Sequence, residues 1–140
     1  MTLPQVPTVA VVDDDRAVRA ALDNLLQSLG LGVAVFASAE EFLASPACRS
    51  AACLIADVQM PGMSGIDLQR HLAAIGNRVP IILVTAFPKE KVRAQAEREG
   101  AYGYFAKPFE SQQLIACIDR ALQASGDRHL LITRSPGSND

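Results

Sequence analysis

Five short apolar runs alternate with longer stretches of helical pattern, and this alternation limits the possible folds more than any other feature of the sequence. The runs are Thr8–Val12, Val33–Phe36, Ala52–Ala56, Val79–Val84 and Tyr102–Ala106. Consecutive parallel strands need a long crossover connection, which is usually a helix. The sequence therefore predicts an α/β domain in which a five-stranded parallel sheet carries five helices on its two faces.

Local signals indicate where several of these helices begin and end. Ser38 and Ser64 stand three residues before an acidic residue, which is the pattern of a helix N-terminus. Pro88 is suited to the first turn of the fourth helix. Gly30 and Gly100 follow the first and the fourth helix, where glycine commonly ends a helix.

The bulk properties indicate one globular domain. The chain has 140 residues, of which 49% are hydrophobic and 20% charged, and its net charge is -2. This charge gives no basic surface for direct nucleic-acid binding, and no apolar stretch has the length of a membrane span. Three cysteines without metal-ligand spacing are typical of reduced thiols, so a cytoplasmic protein is expected. We expect an N-terminal extension at 1–7, the domain at 8–124, and a tail or truncated linker at 125–140.

Three consecutive aspartates, Asp13, Asp14 and Asp15, follow the first apolar run. Two carboxylates ~4 Å apart repel by roughly 4 kcal/mol at an effective dielectric constant of ~20. Asp15 is suited to the N-cap of the first helix. The other two carboxylates need a cation to offset their repulsion.

Reactive side chains also follow other predicted strands. Asp57 directly follows the third run, Thr85 the fourth and Lys107 the fifth. The carboxyl ends of parallel strands share one edge of a sheet, where open α/β sheets bind ligands. Carboxylates there are suitable ligands for Mg²⁺, an aspartate is a possible nucleophile towards phosphorus, and an ammonium group and a hydroxyl would contact phosphoryl oxygens.

The motifs "VVDDD", "DVQMPGMSG", "VTA" and "KPF" together resemble the receiver domains of bacterial two-component response regulators, from about Thr8 to Leu122. The resemblance implies the flavodoxin-like, CheY-like strand order 2-1-3-4-5. The segments "SAEEFL" and "MPGMSGIDL" are most similar to the FixJ-type subgroup.

The resemblance also implies a role for each site residue. Asp57 would accept the phosphoryl group, and Asp13, Asp14, Asp57 and the backbone carbonyl of Gln59 would bind Mg²⁺. Lys107 and Thr85 would contact the phosphoryl group, and the Lys107–Pro108 peptide bond would be cis.

Two further features follow from the same family. Thr85 and the aromatic Tyr104 would form a switch that changes the face made by the fourth helix, the fifth strand and the fifth helix. Gln59 and Phe87 occupy positions that tune the lifetime of the phosphorylated form. Because Phe87 is bulky and apolar, we expect it to shield the phosphoryl group from water.

The implied function is phosphorylation-dependent signalling. A sensor histidine kinase or a histidine phosphotransfer protein would supply the phosphoryl group, and the chain would catalyse only its own phosphorylation and dephosphorylation. Output would pass to a partner protein or an effector domain, with homodimerisation through the switch face as a further possibility. Two alternatives stay open: a Mg²⁺-dependent phosphatase with an Asp13/Asp15 nucleophile pair, although Ala17 departs from that motif, and a pseudo-receiver that only binds a partner.

Overall fold

The fold is built on one sheet of five parallel strands, seen in a computed structural model that describes residues 6–125. The strands are β1 (Thr8–Val12), β2 (Gly32–Phe36), β3 (Cys53–Asp57), β4 (Ile81–Thr85) and β5 (Gly103–Ala106). Their order in the sheet is β2-β1-β3-β4-β5, which confirms the predicted order. The 1–7 extension and the 125–140 tail lie outside the described residues, except for Val6, Pro7 and Ser125.

Within residues 6–125 there are six helices, one more than predicted. They are α1 (Arg16–Ser28), α2 (Ala39–Leu43), α3 (Ala47–Ser50), α4 (Gly65–Ala74), α5 (Glu90–Arg98) and α6 (Ser111–Ala124). The sequence prediction missed α3, because a single turn is too short to show helical periodicity. The fourth and fifth predicted helices are therefore α5 and α6.

The helix ends agree with most of the local signals. The hydroxyl groups of Ser38 and Ser64 accept backbone N–H groups in the first turns of α2 and α4. Gly30 follows α1 with a φ of 79°, a left-handed conformation that favours glycine. The expectation for Pro88 is wrong: Lys89 is the N-cap of α5, so the proline stands before the helix and outside its first turn.

Two apolar layers cover the sheet. Side chains of α2 to α5 pack on one face, and side chains of α1 and α6 pack on the other. All residues of β3 and β4 are buried, as expected for central parallel strands. Cys48, Cys53 and Cys117 are free and buried. No helix within residues 6–125 is long and apolar enough to cross a membrane.

Helix α5 is attached to α4 mainly at its C-terminal end. The buried Gln69 donates from Nε2 to the carbonyl oxygen of Ala96 at 3.1 Å, and Arg70 Nε lies 3.1 Å from Glu99 Oε1. At the opposite end, the N-cap Lys89 makes no side-chain capping hydrogen bond. Its backbone N–H instead donates to the hydroxyl oxygen of Tyr104 at 3.4 Å, so the C-terminal end of α5 is attached to α4 and the N-terminal end to β5.

Candidate functional site

The carboxyl edge of the sheet brings together the side chains that the sequence placed after separate strands. Asp13 follows β1, Asp57 and Thr85 are the last residues of β3 and β4, and Lys107 follows β5. Asp13, Asp57 and Thr85 are buried, and Lys107 is mostly buried. Buried charged groups are costly unless they are paired, so the pairing among these groups determines what the site can do.

The backbone around Asp13 fixes its carboxylate. Its Oδ1 accepts the N–H of Asp15 at 2.9 Å, its N–H donates to the carbonyl oxygen of Phe36 at 3.1 Å, and its carbonyl oxygen accepts from Arg19 Nη1 at 2.6 Å. The arginine on α1 was not predicted as part of this site. An arginine one helical turn beyond an N-cap has no sequence signal that distinguishes it from a solvated surface residue.

Lys107 bridges the two buried carboxylates. Its Nζ lies 2.9 Å from Asp13 Oδ2 and 3.4 Å from Asp57 Oδ2. The contact with Asp13 has the distance of an ion pair but not the angles of a hydrogen bond, and Asp13 Oδ2 has no hydrogen-bond partner among the described residues. This oxygen therefore keeps electron pairs available for another positive group.

Asp14 completes an acidic cluster with Asp13 and Asp57. One carboxylate oxygen from each of the three residues lies within 4.8 Å of the others. Asp15 has a different role: its carboxylate is exposed and accepts the N–H of Ala17 at 2.9 Å as the N-cap of α1. The Asp13/Asp15 pair required by the phosphatase alternative is therefore not assembled here as two carboxylates facing one site.

The pKa of Asp57 is raised in this arrangement. Burial raises its pKa from 3.8 to about 6, the negative charge of Asp13 adds to the increase, and Lys107 and the Gln59 N–H oppose it. Burial alone would lower the pKa of Lys107, but the 2.9 Å ion pair with Asp13, together with the charge of Asp57, outweighs it and raises the pKa. Lys107 therefore stays protonated. Its single positive charge does not fully offset the negative charges of Asp13 and Asp57.

The donor set suits a small divalent cation. Three carboxylates supply hard oxygen ligands, and the single ammonium of Lys107 offsets only part of their charge. The exposure of Asp14 leaves one side of the cluster open to solvent, as Mg²⁺ requires because it keeps several of its waters.

The loop after β3 is tightly constrained around Asp57. The Gln59 N–H donates to Asp57 Oδ1 at 3.3 Å, and the Gly65 N–H donates to the carbonyl oxygen of Val58 at 3.0 Å. A Cβ atom at Gly65 would overlap the carbonyl oxygen of Asp57. Gly65 is the first residue of α4, so glycine at this position lets the helix begin directly against the end of β3.

A second support for this loop comes from α2. The carboxylate of Glu40 accepts the N–H of Met63 at 3.1 Å. The sequence reasoning missed this contact because it joins segments 23 residues apart. Glu40 thereby connects α2 to the segment that follows Asp57.

The predicted switch residues lie on neighbouring strands. Thr85 is fully buried and its Oγ1 accepts the N–H of Phe87 at 3.1 Å. Tyr104 is 5% exposed, packs in the α2–α5 layer, and accepts the N–H of Lys89 at its hydroxyl oxygen at 3.4 Å. The Lys107–Pro108 peptide bond is cis, as expected. The side chain of Phe87 is 67% exposed at the rim of the site.

Comparison with known proteins identifies the family. A model of the response regulator receiver domain matches residues 9–119. The chain belongs to this family. The receiver domain is 41% identical over 119 residues to the response regulator protein TmoT of Ectopseudomonas mendocina, covering 85% of this chain and 54% of TmoT. It is 36% identical over 115 residues to the transcriptional regulatory protein FixJ of Bradyrhizobium diazoefficiens, covering 82% of this chain and 56% of FixJ.

Solved structures agree with this assignment. The response regulator StyR matches with a TM-score of 0.81 and 43% identity, over 88% of the receiver domain chain and 62% of StyR. FixJ-N matches with a TM-score of 0.76 and 36% identity, over 86% of this chain and 96% of FixJ-N. The similarity to FixJ agrees with the FixJ-type assignment. The chain spans about half the length of the curated relatives it matches.

Proposed function

We propose that this receiver domain accepts a phosphoryl group on Asp57 from a phosphohistidine of a sensor kinase or a histidine phosphotransfer protein. The observation that carries the proposal is the ion-pair bridge, in which Lys107 Nζ lies 2.9 Å from Asp13 and 3.4 Å from Asp57. A lysine that spans two buried carboxylates is placed to contact a phosphoryl oxygen next to either of them.

Asp57 is the nucleophile in this proposal. One Oδ forms a bond to phosphorus while the bond between phosphorus and the donor histidine nitrogen breaks. The electron pair of the broken bond stays on that nitrogen, which takes a proton to restore neutral histidine. A protonated carboxyl is a poor nucleophile and the pKa of Asp57 is raised, so a bound cation should promote attack by favouring the ionised carboxylate.

The other side chains hold the transferred group. Lys107 offsets its negative charge, and the Thr85 hydroxyl donates a hydrogen bond to a phosphoryl oxygen after leaving its contact with the Phe87 N–H. Asp13, Asp14, Asp57 and the Gln59 carbonyl oxygen would hold Mg²⁺, which supplies further charge neutralisation when bound.

Thr85 and Tyr104 form the switch in this proposal. Movement of Thr85 towards the phosphoryl group changes the space available to the ring of Tyr104, and thereby the face formed by α5, β5 and α6. That face signals to a partner protein or an effector domain, or joins two copies of the receiver domain. Residues 8–124 form the signalling unit, and 125–140 form a tail or a linker.

The lifetime of the phosphorylated form depends on Gln59 and Phe87. The exposed ring of Phe87 stands two residues after Thr85 and offers no hydrogen bond to an attacking water. Autodephosphorylation is consequently slow.

Incubation with acetyl phosphate and Mg²⁺, followed by intact mass spectrometry, tests the proposal. Wild type should gain the mass of one phosphoryl group, and Asp57→Asn should not. Asp23→Asn, a matched change on α1 outside the acidic cluster, should label like wild type. Equal labelling of wild type and Asp57→Asn would contradict the assignment, and repeated turnover of a phosphate ester would favour the phosphatase alternative.

A further inference from the structure

Arg93 on α5 contacts the proposed switch residue Tyr104 in two ways. The guanidinium carbon lies 5.3 Å from the centre of the ring, in cation–π position, and Nη2 donates to the carbonyl oxygen of Tyr104 at 3.5 Å. The arginine therefore contacts both the side chain and the backbone of this residue.

Arg93 is itself fixed to α5. Its Nη1 lies 3.2 Å from Glu97 Oε2, and its Nε lies 3.8 Å from Glu90 Oε1. Two carboxylates on the same helix thus orient the guanidinium towards β5. The planar fork of arginine makes these contacts together, which the single ammonium of lysine does not.

The register of the sheet connects this contact to the phosphorylation site. Leu83 pairs with Tyr104 and Thr85 pairs with Ala106. Since side chains alternate between the two faces of a strand, Thr85 and Tyr104 project from the same face at diagonal positions of adjacent strands. A line of neighbouring groups therefore runs from α5 to the site through Arg93, Tyr104 and Thr85.

We propose that Arg93 is a positioning residue that holds Tyr104 in its buried position and so favours the phosphorylated state of the switch. This inference rests on the proposed function, in which the inward ring accompanies the movement of Thr85. A residue that stabilises the inward ring must also strengthen binding of a phosphoryl group, because coupling between two sites is reciprocal.

Beryllofluoride, which mimics an attached phosphoryl group, is the probe for the test. Its affinity in the presence of Mg²⁺ is measured by isothermal titration calorimetry. Arg93→Ala should weaken the affinity about two- to fivefold, the range of an exposed cation–π contact. Arg93→Lys should give an intermediate loss. Arg98→Ala, which removes an exposed arginine from the same helix, should bind like wild type.

A double-mutant cycle separates positioning from a general effect on α5. In a Tyr104→Leu background, Arg93→Ala should no longer change the affinity. An equal loss in both backgrounds, or an unchanged or increased affinity of the single variant, would overturn the inference. If Arg93→Ala does not fold in thermal unfolding, the same comparison is made with Arg93→Lys. If wild type does not bind beryllofluoride, the proposed function is overturned together with the inference. If wild type binds it and Arg93→Ala has no effect, only the inference is overturned.

Discussion

Replacing Asp57 by Asn is expected to stabilise the metal-free protein at neutral pH, although it removes the proposed phosphoacceptor. The pKa of Asp57 rises from 3.8 to about 6, chiefly because the carboxyl is buried. Each pKa unit corresponds to ~1.4 kcal/mol, so ionising this group in the folded protein costs about 3 kcal/mol relative to the unfolded chain. The value of about 6 already includes the opposing effect of Lys107, so the neutral amide is expected to raise the unfolding free energy by up to about 3 kcal/mol.

The pH dependence has a defined sign. Because the pKa of Asp57 is higher in the folded state, the folded protein binds the proton more tightly. The contribution of Asp57 to stability therefore falls as pH rises from 3.8 to about 6, and the loss is complete above that range. The Asn variant lacks this slope, so its advantage should be largest near neutral pH and disappear in acid.

Urea unfolding followed by circular dichroism, with EDTA present and pH varied from about 4 to 8, measures the difference. Asp67→Asn is a control of opposite sign: hydrogen bonds from the backbone and side chain of Ser64 lower the pKa of Asp67, so its loss should destabilise at neutral pH and matter less in acid. An Asp57→Asn variant no more stable than wild type at pH ~7, or a gain independent of pH, would refute the reasoning. Added Mg²⁺ should stabilise wild type more than the variant.

Three further outcomes are expected. Gly65→Ala should lower the unfolding free energy by about 1–3 kcal/mol and slow labelling by acetyl phosphate, because its Cβ overlaps the Asp57 carbonyl; wild-type stability in urea would contradict the close approach. Ser64→Ala should lower the unfolding free energy by about 1 kcal/mol in the same assay, since it removes the N-cap of α4. Its labelling by acetyl phosphate should be slowed less than that of Gly65→Ala. An equal labelling defect would argue against a specific effect of Gly65 on Asp57. Phe87→Glu should shorten the half-life of the phosphorylated protein, measured by loss of the mass adduct, and an unchanged half-life would contradict the shielding role.

The sequence predicts the sheet and its reactive edge because both depend on strong local patterns. Central strands that are buried on both faces appear as apolar runs, and the residue that ends each run is at the carboxyl edge wherever the strands pair in parallel. Asp13, Asp57, Thr85 and Lys107 were found in this way. The strand order came from the family resemblance.

Other features depend on contacts between distant segments, which no local pattern records. The support of Met63 by Glu40 and the contact of Arg93 with Tyr104 involve ordinary surface residue types. The helix α3 has too few residues for periodicity. The raised pKa of Asp57 depends on burial and on the position of Asp13, which only the assembled site determines.

The attachment of the two ends of α5 to different elements has a mechanical consequence. Gln69 and Arg70 hold its C-terminal end to α4, whereas the contacts at its N-terminal end go to Tyr104, the proposed switch residue. The nine residues of α5 span about 13 Å, so a tilt of about 10° displaces the first turn by roughly 2 Å and the last turn hardly at all. A partner that reads the proposed switch would therefore detect the largest displacement at the start of α5, near Lys89 and Glu90.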